Sequence, residues 1–317
     1  MILKRGYGID YLFDFHSGKI EKGLGIGTNL DDYLRFKRGQ FVMINGLDNV
    51  GKTIWILWYF LVLARKHNLK FTIWSGENRP GQQKRDLIQM LTGVKFRAIP
   101  EGEIVKFLDT IDSNFKFISN ANLYDHKQLL DLFKKSKSDA CLIDPFTGVN
   151  HDRRISQFER NYQFCNDIRE YCNKTGQTIY VNSHPHTEAA RRVYPLDSEL
   201  SGHIQPPKKS DLEGGQVFAN RCDDLITIHR LVSHKDKWTE TQIHVRKIKD
   251  QETGGRVTFH DEPVIFDFNR GLGFVSDKNA LDGLRMDCGS QLDDIVAVNY
   301  YEKEKDFYDT EKQEEWK

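Results

Sequence analysis

Eight consecutive residues carry an immediate chemical implication. Gly46-Leu47-Asp48-Asn49-Val50-Gly51-Lys52-Thr53 matches G-x-x-x-x-G-K-[ST] in full. Glycines let backbone N–H groups curl around an anion, the lysine reaches the β/γ oxygens of a triphosphate, and the threonine hydroxyl is a Mg²⁺ ligand. A helix beginning at this point adds its positive N-terminal end. Gly46, Asp48, Asn49, Val50, Gly51, Lys52 and Thr53 are therefore expected to hold ATP, or another NTP or dNTP, together with Mg²⁺. The bland alternative is a glycine turn between two core elements.

Triphosphate chemistry needs further groups. A carboxylate serving the metal belongs at the end of an apolar strand, and Asp144 in "ACLIDP" meets that description. By itself it would also serve as a turn cap before Pro145. Glu77, closing "FTIWSGE", is the candidate for polarising water, against a plain surface glutamate. "TIYVNSHPH" ends on His184, with His186 behind it. A polar side chain there would touch a γ-phosphate and report its loss to the following loop, unless it is only a strand-end histidine in solvent.

These groups act together only if one scaffold brings them to one rim. Short apolar runs ("FVMING", "FTIWSGE", "FKFISN", "ACLIDP", "TIYVNSH") alternate with helical stretches at Thr53–His67, Pro80–Thr92, Asp125–Lys135 and Ser156–Thr175. Strands apolar on both faces and alternating with helices indicate an α/β fold with a mostly parallel, doubly wound sheet. "DLITIHR" and "TQIHVRKI" follow one another without a helix, which adds antiparallel strands at one edge. In such sheets ligands sit beyond the carboxyl ends of the strands, so Lys52, Glu77, Asp144 and His184 should share one rim.

The bulk numbers set bounds. The chain has 317 residues with 46 Lys+Arg against 46 Asp+Glu, so net charge points to neither nucleic acid nor membrane. A local basic loop can still bind phosphate. Five scattered cysteines without a C-x-x-C pair suggest reduced thiols. The longest apolar run, Ile54 to Ala64, is about half of the ~20 residues that span a bilayer. A cytoplasmic protein with no membrane partner is expected. Residues 1–22 read as a lead-in, 23–276 as the domain that carries these groups and 277–317 as a charged tail.

The order of strand-end elements resembles the RecA-like core of hexameric replicative DNA helicases, in the Twinkle, phage T7 primase-helicase and DnaB group. "GIGTNLDDYLRFKRGQFVMINGLDNVGKT" is similar to that group's entry, and "IWSGENRPGQQKRDLIQMLTG" to its catalytic-glutamate segment. "VNSHPHTE" resembles its histidine sensor, "GGQVFANRCDDLITIHR" the strand before its finger, and "VRKIKDQETGG" the basic finger itself. The resemblance runs over roughly residues 23 to 270. It implies a RecA-like fold, a homo-oligomer that is a hexameric ring, hydrolysis at subunit interfaces, and Lys247 and Lys249 as catalytic cations acting on the next subunit. Where the family often has arginine, this chain has Lys249, a point charge without the bidentate fork. With only about 40 residues before the loop, the resemblance implies a helicase domain alone or a separate primase.

The loops after the Asp144 and His184 strands would line a channel for single-stranded DNA. They carry Arg153 and Arg154 on one, and His186, Arg191, Arg192, Lys208 and Lys209 on the other. Basic rim loops suit sequence-tolerant backbone binding, and a solvated loop is the plain alternative. Two other functions stay open: a RadA-like recombination or repair ATPase forming filaments, and a regulatory P-loop assembly ATPase.

Overall fold

A computed structural model of the protein describes residues 2–19, 22–152 and 154–288. Arg153 and residues 289–317 of the expected tail lie outside the described residues. The elements are α1 (Ile9–His16), β1 (Phe41–Asn45), α2 (Lys52–His67), β2 (Phe71–Ser75), α3 (Pro80–Thr92), α4 (Glu101–Asn114), β3 (Phe115–Ile118), α5 (His126–Ser136), β4 (Ala140–Asp144), α6 (Gln157–Thr175), β5 (Thr178–Ser183), α7 (Gln216–Arg221), β6 (Asp224–Arg230), β7 (Glu240–Lys247), β8 (Val264–Phe268) and β9 (Phe274–Val275).

Among the described residues the strands form one sheet in the order β3-β2-β4-β5-β1-β6-β7-β8-β9. β1 to β6 are parallel, with β1 central between β5 and β6. β7, β8 and β9 extend one edge antiparallel. The mixed sheet expected from the sequence is thus present, with one difference. β6 is parallel to β1, because the short helix α7 returns the chain to the bottom of the sheet first.

Two apolar clusters cover the two faces. α2, α3 and α4 pack on one, and α5, α6 and α7 on the other. The unbroken apolar stretch of α2 has its reason here. One side lies on the sheet, while Trp58 meets Phe266 and Phe274 of the antiparallel edge at ring-centroid distances of 5.2 and 5.4 Å. A helix covered on both sides needs no polar stripe.

Three of these helices escape the sequence pattern. α1 lies in the stretch read as a lead-in, α4 buries only Phe107 and Ile111, too thin a stripe to register, and α7 is six residues long. Residues 277–288, read as the start of a tail, pack on the core: Leu281 is fully buried and the Met286 N–H donates to the Leu91 carbonyl. α1 has no buried residue and exposes Ile9, Tyr11, Leu12, Phe13 and Phe15. No helix of the described residues is long and apolar enough to cross a membrane.

Candidate nucleotide site

Parallel strands deliver their C-terminal ends to one edge, and the candidate residues sit there. The chain leaves β1 at Asn45, turns through residues 46–51 and enters α2 at Lys52. Gly51 caps α2 with φ 88°, a conformation that favours glycine. A Cβ at Gly51 would also lie 2.7 Å from an Arg230 guanidinium nitrogen, and one at Gly46 2.5 Å from the Ile228 carbonyl oxygen. The two glycines of the motif are therefore required by close approach as well as by backbone shape.

Lys52 is buried, and its ammonium donates to the carbonyls of Gly46 and Leu47 at 2.7 and 2.8 Å. Burial lowers its pKa, while Asp48, Asp144 and Glu77 pull it back up. Asp48, on the tip of the loop, pairs with His184 Nδ1 at 2.8 Å, and Lys52 Nζ lies 3.4 Å from the same nitrogen. A protonated Nδ1 serves the aspartate, so the lysine contact is proximity and not a second hydrogen bond.

Asp144 is the most tightly held group. Its Oδ2 accepts from the Thr53 hydroxyl at 2.9 Å and from the Ser75 hydroxyl at 3.3 Å. Its Oδ1 accepts from the Asn182 amide at 2.6 Å. A hydroxyl and a carboxylate oxygen side by side at a helix N-terminus form a hard-oxygen donor pair of the kind Mg²⁺ takes, its remaining ligands being phosphates and water. Glu77 stands exposed, two residues beyond β2, on the wall of the same cleft.

That cleft, of about 820 Å³, is lined by Asp48, Asn49, Gly51, Lys52, Thr53, Glu77, Asn78, Asp144, His184 and Arg230 among others. Arg230 is a residue the sequence reading missed. It ends β6 beside β1, and its guanidinium lies 4.4 Å from the Phe268 ring centroid, with Nε donating to the Thr241 hydroxyl at 3.1 Å. Burial lowers its pKa to about 10. One signal was available: an arginine ending an otherwise apolar strand in "DLITIHR".

Lys247 and Lys249 are elsewhere. β7 runs antiparallel to β6, so Thr241 faces Arg230 at the cleft while Lys247 faces Leu225 at the opposite end of the sheet. Lys247 donates to the carbonyls of Ala219, Asn220 and Cys222 at 3.0, 3.1 and 2.6 Å, closing the C-terminal end of α7. Lys249 is largely exposed and pairs with Asp223 at 3.2 Å. Neither reaches the cleft of its own chain.

The expected DNA residues divide. Arg154 and Arg191 are exposed and paired with near neighbours, Asp152 at 2.7 Å and Glu188 at 2.5 Å. Arg192 is an internal strut of its loop, ion-paired to buried Asp211, which His186 also approaches at 3.7 Å. Lys208 and Lys209 are exposed, and the Lys208 N–H donates to Asp211 at 2.6 Å.

No family model matches the chain. It is 24% identical over 266 residues to the Twinkle homolog protein, chloroplastic/mitochondrial, of Arabidopsis thaliana, covering 78% of this chain and 36% of that relative. The chain thus spans about a third of that relative's length. In three dimensions it is similar to a solved ATPase domain, with TM-score 0.69, 15% identity, and 87% of this chain and 99% of that one covered. A DnaB-like replicative helicase, solved with attention to its interactions with primase, follows at TM-score 0.66 and 15% identity over 87% of this chain and 67% of that one. The fold is RecA-like, as in these two solved domains. The RadB recombinase lies farther off, at TM-score 0.50 and 15% identity, covering 79% and 98% of the two chains.

Proposed function

We propose that this chain is the motor of a ring-forming DNA helicase that hydrolyses NTP between subunits and translocates on single-stranded DNA in replication. The observation that carries the nucleotide chemistry is the convergence of Lys52, Thr53, Asp144, Glu77 and His184 on one cleft at the strand ends. The loop 46–51 cradles phosphates with backbone N–H groups, and Lys52 exchanges its loop carbonyls for β/γ oxygens. Mg²⁺, when bound by Thr53 and Asp144 with the phosphates, supplies charge neutralisation at the developing transition state. Glu77 takes a proton from water as its oxygen bonds to the γ-phosphorus and the β–γ bridge bond breaks. His184 senses the phosphate at the head of the long loop, whose exposed cations contact DNA phosphates. Arg230, stacked on the half-buried Phe268 ring, lines the same cleft beside the Gly51 turn.

Ring assembly is supported by position. Lys249 lies at the end of the sheet away from its own cleft, as a cation destined for a neighbour's nucleotide would. The apolar α1, with no partner among the described residues, is a segment for a neighbouring subunit to cover. A separate primase and a bacterial or phage-infected cytosol complete the reading. The filament-forming recombinase alternative draws on the RadB likeness, which is weaker than the other two structural likenesses.

Hydrolysis by variants, strand displacement and imaging test this. Lys52→Ala should abolish hydrolysis, and Glu77→Gln should bind ATP and hardly turn it over. Wild type with ATP should displace a strand from a forked duplex and form closed rings by negative-stain imaging. Filaments without strand displacement would select the recombinase reading, and a Glu77→Gln variant with the normal rate would remove Glu77 as base.

A further inference from the structure

The Asp144 carboxylate has a third holder, two residues before His184. Asn182, on β5, is fully buried and its Nδ2 donates to Asp144 Oδ1 at 2.6 Å. We infer that Asn182 is a positioning residue that sets the Asp144 carboxylate for the metal; this rests on the nucleotide-site reading above.

The chemistry fixes the amide. An ionised carboxylate only accepts, so the NH₂ end of Asn182 must face Asp144 and its Oδ1 must face away. That Oδ1 has no hydrogen-bond partner. A buried acceptor left unpaired is costly, and the arrangement is held only because the amide hydrogen has a strong, charge-assisted acceptor.

The division of labour on Asp144 follows from the distances. Oδ2 receives both hydroxyls, Thr53 at 2.9 Å and Ser75 at 3.3 Å, while Oδ1 has Asn182 alone. Ser75 is itself fixed, accepting from the Asn78 N–H at 3.0 Å. When Thr53 turns its oxygen to a cation, Oδ2 loses its nearest donor, and Asn182 then carries the closest remaining bond to the carboxylate. Without Asn182 the carboxylate is free to rotate about its own bond, and part of the cost of ordering it falls on metal binding. Outer partners of metal-binding carboxylates are worth about 10–100-fold in affinity.

The test is a divalent-ion titration on the full chain. Wild type and Asn182→Ala are titrated with Mg²⁺ against a fluorescent ATP analogue, and with Mn²⁺ by electron paramagnetic resonance, which reads the ion directly. Asn182→Ala should need about tenfold more metal or higher, with metal-free nucleotide affinity and Tm close to wild type. Ser75→Ala removes the longer bond and should shift the titration less. Asn182→Asp keeps the shape and places a second carboxylate against Asp144, so it should be no better than alanine. Equal metal affinity in wild type and Asn182→Ala would overturn the inference while leaving the nucleotide site standing. Metal-free nucleotide binding lost in step with Tm would make Asn182 a packing residue only, with Ser75→Ala, expected to fold, then deciding whether the carboxylate is positioned from outside. Wild type with no nucleotide-dependent Mn²⁺ signal would overturn the site reading itself, and this inference with it.

Discussion

The Thr53 hydroxyl donates to Asp144 Oδ2 at 2.9 Å, joining the first turn of α2 to the end of β4 across 91 positions of sequence. Two elements that share no local interaction are registered to each other by one hydrogen bond between the two groups that a hard cation would take. Removing either should weaken metal binding before it weakens the fold. Thr53→Val, which keeps the shape and deletes the oxygen, is expected to raise the Mg²⁺ requirement for hydrolysis by at least ~10-fold. A Mg²⁺ titration of the ATPase rate checks it, and an unchanged midpoint would remove Thr53 from the metal site.

Arg230 makes a second prediction. Its guanidinium is buried between the Gly51 turn and the Phe268 ring, with one Nη unpaired. A cation over an aromatic ring contributes roughly 0.5–2 kcal/mol. Arg230→Ala removes a cation from the cleft wall beside the Gly51 turn, so nucleotide affinity should fall by about tenfold, and by a similar factor for all nucleobases, since Gly51 belongs to the loop that holds the phosphates. Selective loss for one base would mean that the arginine reads a base edge.

How much of this was legible in sequence depends on where the cause lies. Lys52 and Thr53 were readable because phosphate chemistry confines residue types within eight adjacent positions. Asp144 and His184 were readable once strands could be counted, since strand ends share a rim. Asn182 and Arg230 were not singled out, because their role comes from which strands are neighbours: β5 beside β4, and β6 beside β1. β6 was expected among the antiparallel strands for the same reason, as six residues of α7 leave little periodic trace. Arg191 and Arg192 look alike in sequence, yet buried Asp211 claims only the second.

That difference predicts different phenotypes. Arg191→Ala deletes an exposed cation and should weaken single-stranded DNA binding alike for all sequences, lowering the salt slope by about one unit per lost phosphate contact. Arg192→Ala deletes the partner of a buried carboxylate and should loosen the loop, seen as faster proteolysis between residues 186 and 215. Binding isotherms at several salt concentrations separate the two. A salt slope unchanged in Arg191→Ala would take that residue off the DNA path.

Acid stability should report on the sheet face beneath that loop. His229 and His244, on adjacent strands β6 and β7, are buried neutral, and burial lowers their pKa values to about 4 and about 2. An unfolded histidine titrates near 6.5. Between that value and the folded ones the unfolded state binds more protons, so stability falls as pH drops from about 6.5 towards 4. His229→Gln should flatten this slope in urea unfolding followed from pH 7 to pH 4.5. An unchanged slope would place the acid sensitivity in other groups.

Lys249 decides between a self-contained site and a shared one. It is largely exposed at the sheet end opposite its own cleft and tethered to Asp223 at 3.2 Å. A cation there cannot serve the triphosphate bound by the same chain, so any role in hydrolysis must be played on a neighbour. Lys247, with its ammonium on three carbonyls of α7, should matter to stability instead. A finger supplied by a neighbour is worth ~10³-fold or more in rate when it is arginine, and lysine, lacking the fork, delivers less. Specific ATPase activity should therefore rise steeply with protein concentration, and Lys249→Ala should lower the assembled rate while sparing nucleotide binding. Mixing Lys249→Ala with Lys52→Ala subunits should restore part of the activity, because one mixed interface pairs an intact loop with an intact finger. A specific activity independent of concentration, with no rescue on mixing, would refute hydrolysis between subunits.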